Sequence, residues 1–134
     1  MVGAGRYRRG MTTITPYLTV SDGAAALDFY RRAFGAEIVE RYDDDGRLGH
    51  ATLTVAGAVL FLSDEFPSLG AVSPTTVGGS TAAVVLGVAD PDATYAAAVA
   101  AGATADRAVE LDGSGHRSGW VVDPFGHRWN IRTE

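Results

Sequence analysis

The order of residues comes round twice. Val20-Ser21-Asp22 leads through an amphipathic segment to Phe34-Gly35-Ala36, and Val88-Ala89-Asp90 leads through an alanine-rich one to Ala101-Gly102-Ala103, an offset of 67 to 68 residues in a chain of 134. A period of half the chain restricts the fold more than any other feature. Each copy is one small supersecondary unit with too few strands to bury both faces of a sheet, so the copies must pair to share a core.

The first copy opens on Ile14 to Val20, where Ile14, Pro16, Leu18 and Val20 alternate with Thr15, Tyr17 and Thr19, as a half-buried strand does. Ser21 or Asp22 then caps a helix carrying Ala26, Leu27, Tyr30, Ala33 and Phe34 at helical spacing, and Gly35 stops it. Three strands follow: Ala36 to Tyr42, His50 to Val55 after the Asp43-Asp44-Asp45-Gly46 turn, and Ala58 to Ser63 after Ala56-Gly57. Residues 64–80 hold Pro67, Gly70, Pro74, Gly78 and Gly79, the composition of a connector. The second copy repeats the strand at Ala82 to Val88 and the helix from Asp90 to Ala101, and ends in two or three more strands. The pattern predicts an α+β fold of two tandem βαβββ modules, residues 13–66 and 81–134, joined by a linker over 67–80 and preceded by a disordered arm over 1–12. Together they are expected to make one curved mixed sheet, a half-barrel with helices outside, a concave binding face inside and open edges that invite a homodimer.

Composition removes several kinds of chemistry. There is no cysteine, and all 11 cations are arginine, so thiolate nucleophiles, thiolate metal sites, Schiff-base lysines and the P-loop lysine are excluded. The net charge of −5 includes Arg6, Arg8 and Arg9; the remaining eight arginines face 16 carboxylates, a balance of −8. That acidity argues against nucleic acid as a partner. The arginines of the first ten residues have no apolar stretch behind them and nowhere is there a membrane-spanning run, so the expectation is a cytoplasmic protein with no membrane partner.

The ending Trp120-Val121-Val122-Asp123-Pro124-Phe125-Gly126-His127-Arg128-Trp129-Asn130-Ile131, with Phe29-Tyr30, Phe34-Gly35-Ala36, Leu62-Ser63-Asp64-Glu65 and Ala101-Gly102-Ala103-Thr104, resembles the vicinal-oxygen-chelate superfamily of glyoxalases, bleomycin-resistance proteins and extradiol dioxygenases. The likeness is to its bleomycin-resistance-like bacterial branch and covers about Thr13 to Thr133. In metal-dependent members, His, Glu or Gln ligands come from the first and last strands of each half. The matching positions here are Thr15, Phe61, Ala83 and Asn130, which lack the imidazole and carboxylate groups a transition metal needs. The resemblance therefore implies the fold without the metal, and no cofactor.

If those four positions face the cleft, alternation places Tyr17, Thr19, Ser63, Val85, Arg128 and Arg132 beside them. By the same family geometry Trp120 looks inward, as a stacking platform or as a core or dimer-contact side chain, while Trp129 packs under a helix. His50 is either a hydrogen-bonding or basic group of the cleft or an exposed strand-end residue. His127 is read as structural. His116-Arg117, after Gly113-Ser114-Gly115, is a plain loop or a lid, Asp64-Glu65 a surface turn with an opening for a cationic ligand, and Asp43-Asp44-Asp45 a solvated hairpin tip. The expected ligand-binding set is Tyr17, His50, Phe61, Ser63, Ala83, Trp120, Asn130 and Arg132, with His50 as the catalytic group of any reaction and no metal ligand. The reading is a metal-independent protein that sequesters an aromatic natural-product antibiotic, cationic compounds being favoured by the charge of the body. The alternative is a metal-independent isomerase, lyase or hydrolase of the same fold using His50 or Tyr17 as acid–base group.

Overall fold

Asp22 and Asp90 do the same work in the two copies. Each accepts a hydrogen bond from the backbone N–H three residues on, Ala25 and Ala93, both at 3.1 Å, and so caps its helix. Gly35 closes the first helix at φ 70°, a left-handed conformation that a side chain would disfavour. The computed structural model describes residues 10–134, and the expected arm falls mostly outside them. Its elements run β1 (Tyr17–Val20), α1 (Gly23–Phe34), β2 (Glu37–Asp44), β3 (Arg47–Val55), β4 (Ala58–Asp64), a 3-10 turn (Pro67–Leu69), a single helical turn α2 (Pro74–Val77), β5 (Ala83–Val88), α3 (Pro91–Ala101), β6 (Thr104–Leu111), β7 (Arg117–Val122) and β8 (Arg128–Thr133).

The strands form two four-stranded sheets, β1-β4-β3-β2 and β5-β8-β7-β6, in which β1 pairs with β4 and β5 with β8 in parallel and all other neighbours are antiparallel. The α+β fold and its tandem modules match the sequence pattern. The single curved sheet resolves into two open ones, because no backbone ladder joins the edge strands β1 and β5. The first strand is also shorter than its alternation suggested. Ile14 is 96 % exposed and Thr15 precedes the paired region, since pairing with β4 starts at Tyr17↔Phe61.

One face of each sheet is sealed. Leu18, Val20, Ala51, Leu53, Leu60 and Leu62 of the first and Val121, Trp129 and Ile131 of the second are buried with Ala26, Leu27, Phe29, Tyr30 and Ala33 of α1 in a continuous core. Each large side chain so buried contributes roughly 1.5–3 kcal/mol. The rings of Tyr30 and Phe34 lie 5.6 and 4.7 Å from Trp129, so the helix of the first module packs on the last strand of the second, as expected for that tryptophan. At the centre sits Asp123, 3 % exposed. It accepts hydrogen bonds from the hydroxyl of Tyr30, from Trp129 Nε1 at 2.9 Å, and from the backbone N–H of Phe125 and of His127, both at 2.9 Å. Burial, and after it the Asp123 charge, push the Tyr30 phenol well above its ordinary range. His127 adds a second tie between modules, its Nε2 donating to the Thr19 carbonyl at 2.8 Å.

Candidate functional site

With one face of each sheet sealed, the opposite faces stay open, and β1 and β5 border a groove of about 480 Å³ between the two sheets. Tyr17, Ala83, Val85 and Arg128 lie along it together with Pro16, Leu18, Ser80, Thr81, Ala82, Val84 and His127. None of these carries a carboxylate.

On the first module's open face three expected residues come together. The rings of Tyr17, His50 and Phe61 stand mutually edge to face, with centroids 5.4, 5.4 and 5.0 Å apart. A polar chain runs away from them. Thr52 Oγ1 donates to Glu40 Oε1 at 3.2 Å, so it accepts from His50 Nε2 at 3.0 Å, which in a neutral imidazole leaves Nδ1 to accept from the Tyr17 hydroxyl at 2.8 Å. Partial burial raises the Tyr17 phenol above its ordinary value, so it is protonated at neutral pH and serves as that donor. Ser63, from the same face, is 5 % exposed and its hydroxyl donates to the Asp64 carbonyl at 2.9 Å.

The second module's open face has a different character. Trp120 on β7 lies between strands that both send it a guanidinium: Arg107 of β6, with Cζ 5.6 Å from the ring centroid, and Arg128 of β8, at 4.7 Å. Asn130, directly opposite Trp120, is 5 % exposed and spends its amide N–H groups on Ser118 Oγ at 2.7 Å and the Gly119 carbonyl at 3.1 Å. Arg132 is half-buried two residues further along β8, and Ala83 opens β5 at the groove. Alternation brings Arg128 to this face, but nothing in the sequence announces Arg107. Its placement depends on irregularities in β6, where the register with β7 slips between Ala105 and Arg107 and again between Arg107 and Glu110. Gly119 makes room for the second of these: a Cβ there would sit 2.8 Å from Val109 Cγ2 and 3.1 Å from the Arg107 carbonyl oxygen.

The four positions that match the metal ligands of relatives do not fit a metal. Phe61 and Ala83 offer no lone pair, Thr15 and Asn130 supply only a hydroxyl and an amide oxygen, and among the described residues no three His, Cys, Asp or Glu side chains gather closely enough to hold an ion.

The remaining candidates have structural work. Asp64 accepts from the backbone N–H of Gly23 at 2.6 Å and of Leu48 at 2.7 Å, fastening α1 to β3. Glu65 accepts from the Ser73 N–H at 2.6 Å, and hydrogen bonds from Thr76 and Ser73 hold its carboxyl below the usual value. Both line a second, polar groove of about 400 Å³ with Asp22 and Arg47, but the three carboxylates there are committed to the backbone. The segment before Arg117 is a plain turn: Asp112 accepts from Ser114 Oγ at 2.6 Å and from the His116 N–H at 3.0 Å, which lowers its carboxyl to about 2, and Arg117 is held by Asp92 through bonds of 2.8 and 2.9 Å.

Two open modules sharing one sealed core define the class of fold, and comparison with known proteins gives the family. The sequence model of the Glyoxalase/Bleomycin resistance protein/Dioxygenase superfamily matches residues 10–131. The chain belongs to that superfamily. An uncharacterized protein of Mycobacterium tuberculosis is 40% identical over 122 residues, covering 88% of this chain and 72% of its own length. A crystal structure of a superfamily member from Sphaerobacter thermophilus is 26% identical with a TM-score of 0.73, covering 92% of this chain and 98% of that one. A bleomycin-binding protein crystallised with bleomycin is 21% identical with a TM-score of 0.64, covering 92% and 99%. The family and the fold anticipated from the sequence are thus established. Among the described residues no helix is long and apolar enough to cross a membrane.

Proposed function

We propose that this chain is a metal-independent binding protein that pairs with a second copy and holds an aromatic small molecule on its open faces, sequestering a natural-product antibiotic. The observation that carries the reading is the set of aromatic side chains left uncovered on the inner side of the sheets. Tyr17 is 53 % exposed at the groove, with Phe61 and His50 packed against it and Trp120 presented by the second module. Such faces suit a flat apolar compound, which needs platforms and a polar rim and no reacting group. The likeness to the bleomycin-binding protein supports only the capacity of the fold, so the proposal rests on the faces themselves. Pairing is supported by the outer strand β2, exposed on both faces yet carrying Ile38, Val39 and Tyr42. The test is a titration with flat aromatic antibiotics followed by tryptophan fluorescence. Quenching lost in Trp120→Phe is expected, whereas an unchanged signal across the panel overturns the reading; sedimentation at increasing concentration tests the dimer.

A second reading has its own support. The ordered chain from Tyr17 through His50 and Thr52 to Glu40 is a proton path from the groove to solvent, as a metal-independent isomerase, lyase or hydrolase with His50 or Tyr17 as acid–base group would need. Turnover of a bound compound abolished by His50→Ala, with binding retained, would favour the enzyme. Binding without turnover leaves sequestration.

A further inference from the structure

The ligand's charge can be read from the second module, an inference that rests on the aromatic-binding reading above. We infer that the site takes an anionic compound: a planar apolar body bearing an oxyanion, seated so that the oxyanion meets Arg107 and Arg128 beside Trp120.

The overall acidity of the chain points the other way, but long-range charge steers encounters while the groups in contact decide what stays. Most described arginines are spoken for. Arg31 and Arg32 are held by Asp28, Arg41 by Asp43 and Arg117 by Asp92, and Arg47 donates to the Glu65 carbonyl. The guanidinium groups of Arg107, Arg128 and Arg132 form no ion pair and donate no hydrogen bond among the described residues. Two of the three are gathered on one indole, which positions them while leaving their N–H groups unspent. Two like charges around one ring repel, and an oxyanion between them relieves the repulsion through charge-assisted, bidentate hydrogen bonds. Asp106, in the bulge beside Arg107, Glu110, opposite Ser118, and Glu134, beside Gly87, are the carboxylates nearest in register, and none of them forms an ion pair with an arginine. Arg128 also borders the groove, so the flat part of a ligand against Tyr17 and Val85 would lie next to the guanidinium that takes its charge. With no carboxylate along that groove, a cationic compound would find aromatic surface and no counter-ion.

The test uses three probes of one shape, naphthoate, naphthylmethanol and naphthylmethylammonium, titrated calorimetrically into the full chain at low and raised ionic strength. Naphthoate is expected to bind at least about tenfold more tightly than the ammonium compound, with the margin shrinking in salt and vanishing in Arg107→Gln/Arg128→Gln. A second measurement needs no ligand. Iodide should quench Trp120 fluorescence more than caesium does, and the difference should disappear in the same double variant, while buried Trp129 adds little to either. An ammonium probe bound as well as or better than naphthoate leaves the aromatic-binding reading standing and overturns this one. A preference for naphthoate that survives the double variant removes the arginines from the site. Binding of none of the three overturns both readings. A dimer that dissociates in the double variant, with no anion preference in the parent, reassigns the arginines to contact with a second copy and likewise overturns the inference.

Discussion

The two modules share an order of strands and helix but divide their labour. On the sealed side the first supplies volume: α1 buries Leu27, Phe29 and Tyr30, whereas α3 buries only Pro91 and Ala98 along an alanine-rich surface. A bulky helix and a slender one can lie against each other with Arg32 reaching the Ala101 carbonyl at 3.4 Å, where two bulky ones would hold the sheets apart. On the open side the first module carries an aromatic cluster hydrogen-bonded through to a distant carboxylate, and the second an indole flanked by guanidinium groups. Duplication has kept the frame, and divergence has made one half hydrogen-bonding and the other cationic. A ligand spanning the groove would therefore bind in one orientation.

The joint between the halves is the place where the comparison can be broken outright. Asp123→Ala leaves the Tyr30 hydroxyl, Trp129 Nε1 and two backbone N–H groups without their acceptor in a closed core. Each unsatisfied buried donor costs roughly 1–3 kcal/mol, so urea unfolding should show a loss of more than about 4 kcal/mol. A loss under about 1 kcal/mol would mean that the Asp123 hydrogen bonds do little to join the modules.

The next largest effect separates bulge from frame. Gly119→Ala drives a methyl group against Val109 and the Arg107 carbonyl, neither the free end of a flexible chain, and should cost about 1–3 kcal/mol while displacing Arg107 from Trp120. Gly87→Ala, on β5 of the same sheet, meets Glu134 at an ordinary 3.5 Å and should be near neutral in a thermal melt. Equal melting shifts for the two would remove the structural reason for glycine at 119.

Tyr30 adds a dependence on pH. Its folded-state phenol is raised above the unfolded value of 10.0, so the folded chain keeps a proton that the unfolded chain gives up once pH passes 10.0. Stability from this group is complete below that value and is lost as pH rises above it. Tyr30→Phe should cost about 2 kcal/mol at neutral pH, through the bond to Asp123, and flatten the alkaline limb of a stability–pH curve. An unchanged limb would assign the alkaline loss to other groups.

How much of this was legible follows from what period and propensity record. The duplication and the Asp90 cap are written in the spacing of residues, and the first cap is narrowed there to Ser21 or Asp22, whereas Trp129 under the helix and the facing of Tyr17, Phe61 and Trp120 were implied by the family resemblance. Alternation gives the face of a side chain but not whether a neighbour already holds its polar atoms, so Ser63 and Asn130 read as open groups although both are nearly buried and hydrogen-bonded. Arg107 was missed because a regular ladder from Ala105↔Val121 would set Asp106 opposite Trp120, and only a bulge brings Arg107 there. Asp123 read as part of a turn, because its partner Tyr30 lies 93 residues away.

The smallest expected effect bears on the first module and sharpens the contrast most finely. If Thr52 spends its proton on Glu40, His50 must carry its own proton on Nε2 and accept from Tyr17 at Nδ1, so one tautomer should dominate. Nitrogen-15 correlation spectra of the imidazole can read this directly. Tyr17→Phe removes the donor at Nδ1 from a partly exposed position, so stability should change by less than about 1 kcal/mol while the tautomers mix. Glu40→Gln should act at the other end, since its amide can donate to Thr52 and turn the chain round, moving the proton to Nδ1 and leaving the Tyr17 hydroxyl to face the groove as a donor. A ring that holds the same tautomer in both variants would show that the chain is not coupled from end to end. The first module would then offer only aromatic surface, and the polar contribution to ligand selection would fall to the arginines of the second.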